Sequence, residues 1–164
     1  GTHEWMFEWF GEDSGEWTLR ALRDAGVHAM GRRSYEIMGP HWMASGGPIA
    51  TAMNEKPKAV FSRTLETAGW GPAEIFRDPS AAVADLKARD EPGTILVHGG
   101  PGLAQSLTRL GLVDEYQLLT VPIAIGAGRS PFAALGEHLE LDVVDEQRFR
   151  SGALGQVLTP RRRP

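Results

Sequence analysis

The chain contains no cysteine, which excludes disulfide bonds, thiolate nucleophiles and the His/Cys zinc signature of a deaminase. It has no apolar run near the roughly 20 residues that a membrane-spanning helix requires, and no signal-peptide pattern. Nor does it carry an excess of basic charge. Lys and Arg number 17 against 21 Asp and Glu, a formal net charge of −4. A general binder of nucleic acid or of an anionic membrane is therefore not expected, while a local basic site remains compatible with that balance. Internal repeats and low-complexity segments are also lacking. These absences lead to the expectation of a cytoplasmic protein whose partner is a small molecule. The numbering opens without methionine, at Gly1-Thr2-His3, and enters the helix-compatible run Trp5-Met6-Phe7-Glu8-Trp9-Phe10 at once, so residues upstream of it are expected. At 164 residues the chain is ample for one core and short for two, and it reads as a single domain over residues 1–164.

What is present is an alternation of short apolar runs with helical patterns. Trp17 to Asp24 has helical spacing with Gly26 as its stop, and Val27 to Met30 is strand-like. Gly31 to Met38 reads as a helix ended by Gly39-Pro40, followed by a Gly/Pro-rich loop through Pro48. Ala59 to Phe61 and Glu74 to Phe76 read as strands, and Pro79-Ser80 opens a helix through Arg89. Thr94 to Val97 is a β-branched run that ends in Gly99, Gly100 and Gly102 before a helix from Leu103 to Leu110. Glu115 to Val121 reads as a strand covered on both faces. Leu139 to Val144 and Ala153 to Leu158 form an antiparallel pair turned at Ser151-Gly152, and Pro160 to Pro164 is a frayed tail. The order predicts an α/β fold with a mixed, mostly parallel sheet, helices on both faces and a C-terminal antiparallel hairpin.

In sheets of this kind ligands bind beyond the carboxyl ends of the strands. Three such ends carry anion-site chemistry: Met30-Gly31-Arg32-Arg33-Ser34, Phe61-Ser62-Arg63-Thr64, and Val97-His98-Gly99-Gly100-Pro101-Gly102. Each offers glycine or hydroxyl donors, and two add arginine, whose planar fork suits phosphate oxygens. A glycine turn into a helix lets backbone approach a ligand and presents the free N–H groups of the helix start. A cofactor with several phosphates accounts for all three together.

These residues resemble the dihydrofolate reductase-like superfamily and, within it, the reductase domain of riboflavin biosynthesis, the RibD C-terminal domain family. Met30-Gly31-Arg32-Arg33-Ser34-Tyr35-Glu36 is similar to the family's Gly-Arg-x-Thr/Ser-aromatic-Glu helix start. Ser62-Arg63 with Thr64 is similar to its adenosine and 2′-phosphate contact, and Gly99-Gly100 with Gly102 and Leu103 to its glycine pair beside the cofactor pyrophosphate. Gly111-Leu112-Val113-Asp114-Glu115, then Pro122 to Gly128 and Phe132, resemble the riboflavin-type branch. The family's opening strand of Ser-Leu-Asp-Gly type has no counterpart here, so the domain is expected to lack its first strand in this numbering.

The resemblance implies an NADPH-dependent oxidoreductase that transfers a hydride to a small heterocyclic or carbonyl substrate. Its alternatives are a riboflavin-pathway 5-amino-6-ribosylaminouracil-type reductase, a true dihydrofolate reductase, or a non-catalytic NADPH-binding sensor or interaction protein. Cofactor contacts are then expected from Gly31, Arg32, Arg33, Ser34, Ser62, Arg63, Thr64, Gly99, Gly100, Gly102 and Leu103. Arginine beside a ribose site favours NADPH over NADH. Trp42, in the loop after the first motif helix, is a candidate wall for a flat substrate or ordinary packing, and Gly126 is the second substrate candidate. No metal is expected, and no side chain is assigned as the proton donor. His98 reads first as a hydrogen-bonded core histidine, and Asp114-Glu115 as a turn or cap, since adjacent strand residues face opposite ways. Trp5, Trp9 and Trp17 read as core. The apolar surplus from Glu115 to Gly128 and the dimers that the family forms imply a two-fold homodimer.

Overall fold

A computed structural model of the chain describes residues 8–90, 93–133 and 135–161. The Trp5 member of the tryptophan set and the tail beyond Arg161 lie outside the described residues. Twelve elements are defined among them: α1 (Glu12–Asp24), β1 (Ala25–Gly31), α2 (Arg32–Ala44), α3 (Pro48–Glu55), β2 (Lys58–Phe61), β3 (Ala73–Phe76), α4 (Pro79–Ala88), β4 (Thr94–Val97), α5 (Pro101–Arg109), β5 (Tyr116–Thr120), β6 (Leu141–Arg148) and β7 (Leu154–Pro160). They fall into two compact units. No helix among the described residues is long and apolar enough to cross a membrane.

The larger unit comprises Leu19–Leu112 and the described part of Ser130–Ala134. Its sheet is wholly parallel, in the order β3-β2-β1-β4, and strand alternation sends side chains to two faces. On one face Met30, Val60, Ile75 and Leu96 pack with Leu19 and Leu22 of α1, Tyr35 of α2, Ala52 and Met53 of α3, and Trp70. On the other, Val27, Ala29, Ala59, Phe61, Phe76, Ile95 and Val97 pack with Leu86 of α4. The α/β class with a parallel sheet flanked by helices is thus present, and the strand starts follow the apolar runs. α4 begins where Asp78 caps it by accepting from Ala81 N at 2.7 Å, with Pro79 in the first helical position.

Three local expectations change. α1 ends at Asp24 and β1 starts at once, so Gly26 is no helix stop; it sits inside β1 where the register with β4 is irregular. Gly93 has φ +115, and a Cβ there would lie 2.4 Å from Gly26 N, a backbone crossing that only glycine admits. α2 does not stop at Gly39-Pro40 but runs on to Ala44. Pro40 removes one donor to the preceding turn, and the buried Gly39 lets the helix close on Trp70, whose Cβ would be 3.3 Å from an added methyl. The expected loop through Pro48 is accordingly the end of α2 and the start of α3.

Tyr35 and Lys58, buried in this unit, are paired. Tyr35 Oη accepts from Trp70 N at 2.6 Å and donates to Trp70 O at 3.0 Å. Lys58, 1% exposed, donates from Nζ to Asn54 O at 2.8 Å and lies 4.7 Å over the Trp70 ring. Burial pulls its ammonium pKa down to about 8.

The smaller unit comprises the described residues of Gly1–Thr18, Val113–Arg129 and Leu135–Pro164. Its sheet is antiparallel, in the order β5-β7-β6. β5 is therefore not a strand covered on both faces: Tyr116 is buried, and Gln117 and Thr120 are exposed. Trp17 meets Phe149 edge-to-face, with centroids 6.0 Å apart, over Gly155, where a Cβ would come within 2.9 Å of the Phe149 ring. Trp17 is thus packed as core. Pro160 is the last residue of β7 and not a frayed end. Arg161 N donates to Glu140 O at 2.9 Å, and its Nε donates to Asp142 Oδ1 at 3.0 Å.

Candidate functional site

The three glycine- and arginine-bearing segments converge because β2, β1 and β4 are neighbours that run in the same direction. The register pairs Gly31 with Phe61 and Ala29 with Val97, so the segments that follow leave the sheet from one edge. Gly31 ends β1 and is the N-cap residue of α2; Gly100 is the N-cap residue of α5. Neither glycine has a side chain to cap the helix. Two helix starts without side-chain caps therefore lie beyond the strand ends, the chemistry that suits an anion; in α5 Pro101 has no N–H and Leu103 N already donates to Gly100 O at 3.1 Å.

Contacts join these segments. Gly100 has φ +87, and a Cβ there would lie 2.7 Å from Ser34 Oγ; at Gly31 a Cβ would lie 4.0 Å from Leu103 Cβ. Gly31, Ser34, Gly100 and Leu103 thus form one surface. An added Cβ at Gly99 or Gly102 meets nothing within 4 Å. Ser62 Oγ accepts from Thr64 N at 3.2 Å and from Leu65 N at 2.9 Å, which builds the turn after β2 and leaves the hydroxyl proton to donate outward. Arg77 donates to Ser62 O at 2.6 Å. Arg32 is in an exposed pair with Glu36 at 4.0 Å. Arg33 and Arg63 are exposed and form no ion pair among the described residues.

The two candidate substrate residues belong to different units. Trp42 is not in a loop: it lies in the last turn of α2, ten residues and about 15 Å of helix from Arg32. It packs against the core beside Met38 and Ile49. Its carbonyl accepts from Asn54 Nδ2 at 2.9 Å, and its Nε1 is buried without a partner among the described residues. Gly126 belongs to the smaller unit, in the exposed stretch between β5 and β6, with φ +70.

His98, at the end of β4, is hydrogen-bonded beneath the glycine turn as its core reading expected, through a partner 70 positions away that sequence reasoning missed. His98 Nε2 lies 2.8 Å from Nδ1 of His28, which is fully buried, and His28 Nε2 lies 3.1 Å from Ala52 O. Burial lowers the pKa of both rings, that of His98 to about 3 with help from the neighbouring His28, and Lys58 adds to the shift at His28. Both rings are neutral near pH 7. The available signal was the strand alternation, which puts 28 and 98 on the same face as Met30 and Leu96.

A parallel sheet whose neighbouring strands end at helix starts and exposed arginines has the architecture of α/β domains in which ligands bind beyond the carboxyl ends of the strands. The RibD C-terminal domain model matches residues 1–154, and the chain belongs to that family of dihydrofolate reductase-like, NAD(P)H-dependent reductases. Its sequence is 28% identical over 130 residues, 76% of this chain and 68% of the relative, to the uncharacterized protein YyaP of Bacillus subtilis (strain 168). Its fold matches a candidate riboflavin biosynthesis protein from Shewanella sp. PV-4, with TM-score 0.78 and 20% identity over 99% of this chain and 89% of that one. A pyrimidine reductase-like protein from Corynebacterium diphtheriae matches with TM-score 0.62 and 14% identity, covering 94% and 84%. RibD of Acinetobacter baumannii matches with TM-score 0.70 and 15% identity over 93% of this chain and 51% of that one.

Proposed function

We propose that this chain is an NADPH-dependent reductase of a small planar heterocycle, of pyrimidine type, bearing a C=N or C=O group. The observation that carries this reading is the convergence of Gly31 to Ser34, Ser62 to Thr64 and Gly99 to Leu103 at neighbouring strand ends. The residues fit the cofactor's chemistry. Uncapped N–H groups and the Ser62 hydroxyl suit a pyrophosphate, and the free guanidinium of Arg63 suits a 2′-phosphate, where a carboxylate would suit a 2′-hydroxyl. The likeness to a pyrimidine reductase-like protein and to RibD supports the substrate class.

When bound, the reduced nicotinamide supplies the hydride. This chain would bind and orient the cofactor: Gly31 to Ser34, Ser62 to Thr64 and Gly99 to Leu103 would hold it, and the sheet edge would keep it in place. His98 is not the proton donor to the reduced bond, because its one N–H is already committed to His28. Steady-state oxidation of NADPH with pterin, pyrimidine and carbonyl substrates tests the reading, beside calorimetric titration of NADPH and NADH. Turnover of a pyrimidine supports it. Tight NADPH binding with no turnover of any substrate replaces it with a silent cofactor-binding protein, and no NADPH binding refutes it.

A further inference from the structure

The hydrogen-bond chain beneath the glycine turn runs in one direction. Ala52 O can only accept, so the proton of His28 is on Nε2 and its Nδ1 is a lone pair. His98 Nε2 faces that lone pair at 2.8 Å and must donate to it, which leaves His98 Nδ1 as a lone pair in turn. Among the described residues Trp42 Nε1 is the buried side-chain polar atom that lacks a partner, and no hydrogen bond reaches His98 Nδ1. That nitrogen is therefore without a hydrogen-bond partner among the described residues, on a side chain that is only partly exposed. Its place is set by the backbone bond His98 N to Ala29 O at 2.8 Å, immediately before Gly99, around which a side chain would meet nothing.

We propose that His98 Nδ1 is a fixed hydrogen-bond acceptor for an amide-type N–H of the ligand held at the strand ends, with His28 as the positioning residue that sets its tautomer. The proposal rests on the reductase reading above. A histidine in water exchanges tautomers and protonates near its ordinary pKa; here fully buried His28 removes the first freedom, and desolvation removes the second by holding His98 at about 3. The site thus presents a lone pair at all physiological pH. It accepts from a carboxamide or a ring lactam, and repels a carboxylate or a carbonyl presented in the same place. Two donors are available, the nicotinamide carboxamide and a pyrimidine ring N–H. They share one chemistry, and experiment separates them.

Nitrogen NMR of the full chain labelled in histidine reads the tautomers directly. In the free protein both rings are expected as the neutral Nε2-H form near pH 7, with His98 remaining so down to pH 5, and the His98 Nδ1 resonance is expected to move when NADP+ or uracil is added. His98→Phe keeps the ring volume and removes the acceptor. It should weaken one probe by about three- to tenfold, the scale of one net hydrogen bond. If the donor is the cofactor, wild type prefers NADP+ to its acid counterpart, in which a carboxylate replaces the carboxamide, and the variant loses that preference. If the donor is the substrate, the preference is unchanged and the affinity of the NADP+ complex for uracil falls. A His98 that carries its proton on Nδ1, or an Nδ1 resonance indifferent to both probes, overturns the proposal with wild-type protein alone, even if the variant does not fold. A wild type that binds no NADP+ in a simple titration instead overturns the reductase reading and the proposal with it.

Discussion

Alanine at Gly99 and alanine at Gly100 should fail in different ways, and the difference tests whether the turn serves the ligand or only the chain. At Gly99 the backbone is outside the left-handed region and an added Cβ meets nothing within 4 Å. The fold therefore loses nothing, and the stiffer unfolded chain adds about 0.4–1 kcal/mol of stability. In a chain of this size that raises the melting temperature by about 1–4 °C. At Gly100, φ is +87 and the Cβ would come within 2.7 Å of Ser34 Oγ. Left-handed backbone costs a non-glycine residue about 1–2 kcal/mol, and Ser34 must also shift, so the melting temperature should fall by about 2–8 °C. Cofactor affinity should follow neither trend. If backbone at Gly99 touches the cofactor, the methyl occupies that contact and NADPH weakens by at least about tenfold, about 1.4 kcal/mol, in a protein that is as stable as wild type or more so. Scanning calorimetry and isothermal titration measure the two quantities separately. Wild-type NADPH affinity in Gly99→Ala would refute close approach there and reduce the turn to a structural device.

Arg63→Ala should weaken NADPH by about 1.5–3 kcal/mol and leave NADH unchanged; equal losses in calorimetric titration would reject the 2′-phosphate assignment. His28 and His98 are held below their ordinary pKa of 6.5, so the unfolded chain binds protons that the folded one excludes. The stability they contribute is complete above pH 6.5 and declines as pH falls, for His98 down to about 3, by up to about 1.4 kcal/mol per pH unit for that ring. Urea unfolding from pH 7 to pH 5 should show a shallower decline in His98→Phe than in wild type, and parallel curves would contradict the buried-pair account. Gly93→Ala, with a Cβ 2.4 Å from Gly26 N at φ +115, should cost more than about 2 kcal/mol in the same assay. We propose a two-fold homodimer through the smaller unit, where Val143, Val144 and Ile125 are each more than half exposed; light scattering after size exclusion should give twice the chain mass, and a monomer at micromolar concentration would exclude it.

The strand ends and the glycines that follow them were legible in the sequence because each depends on a few adjacent residues. An apolar β-branched run, a glycine that frees the backbone and a helix start are local chemistry, and parallel order then follows from the alternation of elements. Reading stopped where a distant residue decides. Gly39-Pro40 looks like a helix end, yet Trp70 packs against Gly39 and α2 continues, carrying Trp42 from the expected loop into the core. Pro48 in the first turn of α3 was a start signal of the usual kind, hidden among the glycines around it. β5 carries the apolar content of a buried strand, but its pairing with β7 in a separate antiparallel sheet depends on a partner some forty residues away. The register of β1 against β4 set His28 under His98. Residue types alone put glycine, hydroxyl and arginine groups at three strand ends. Only the packed sheet could say that the histidine beside them is neutral and has one tautomer, because that state is imposed by a carbonyl on α3 and by burial.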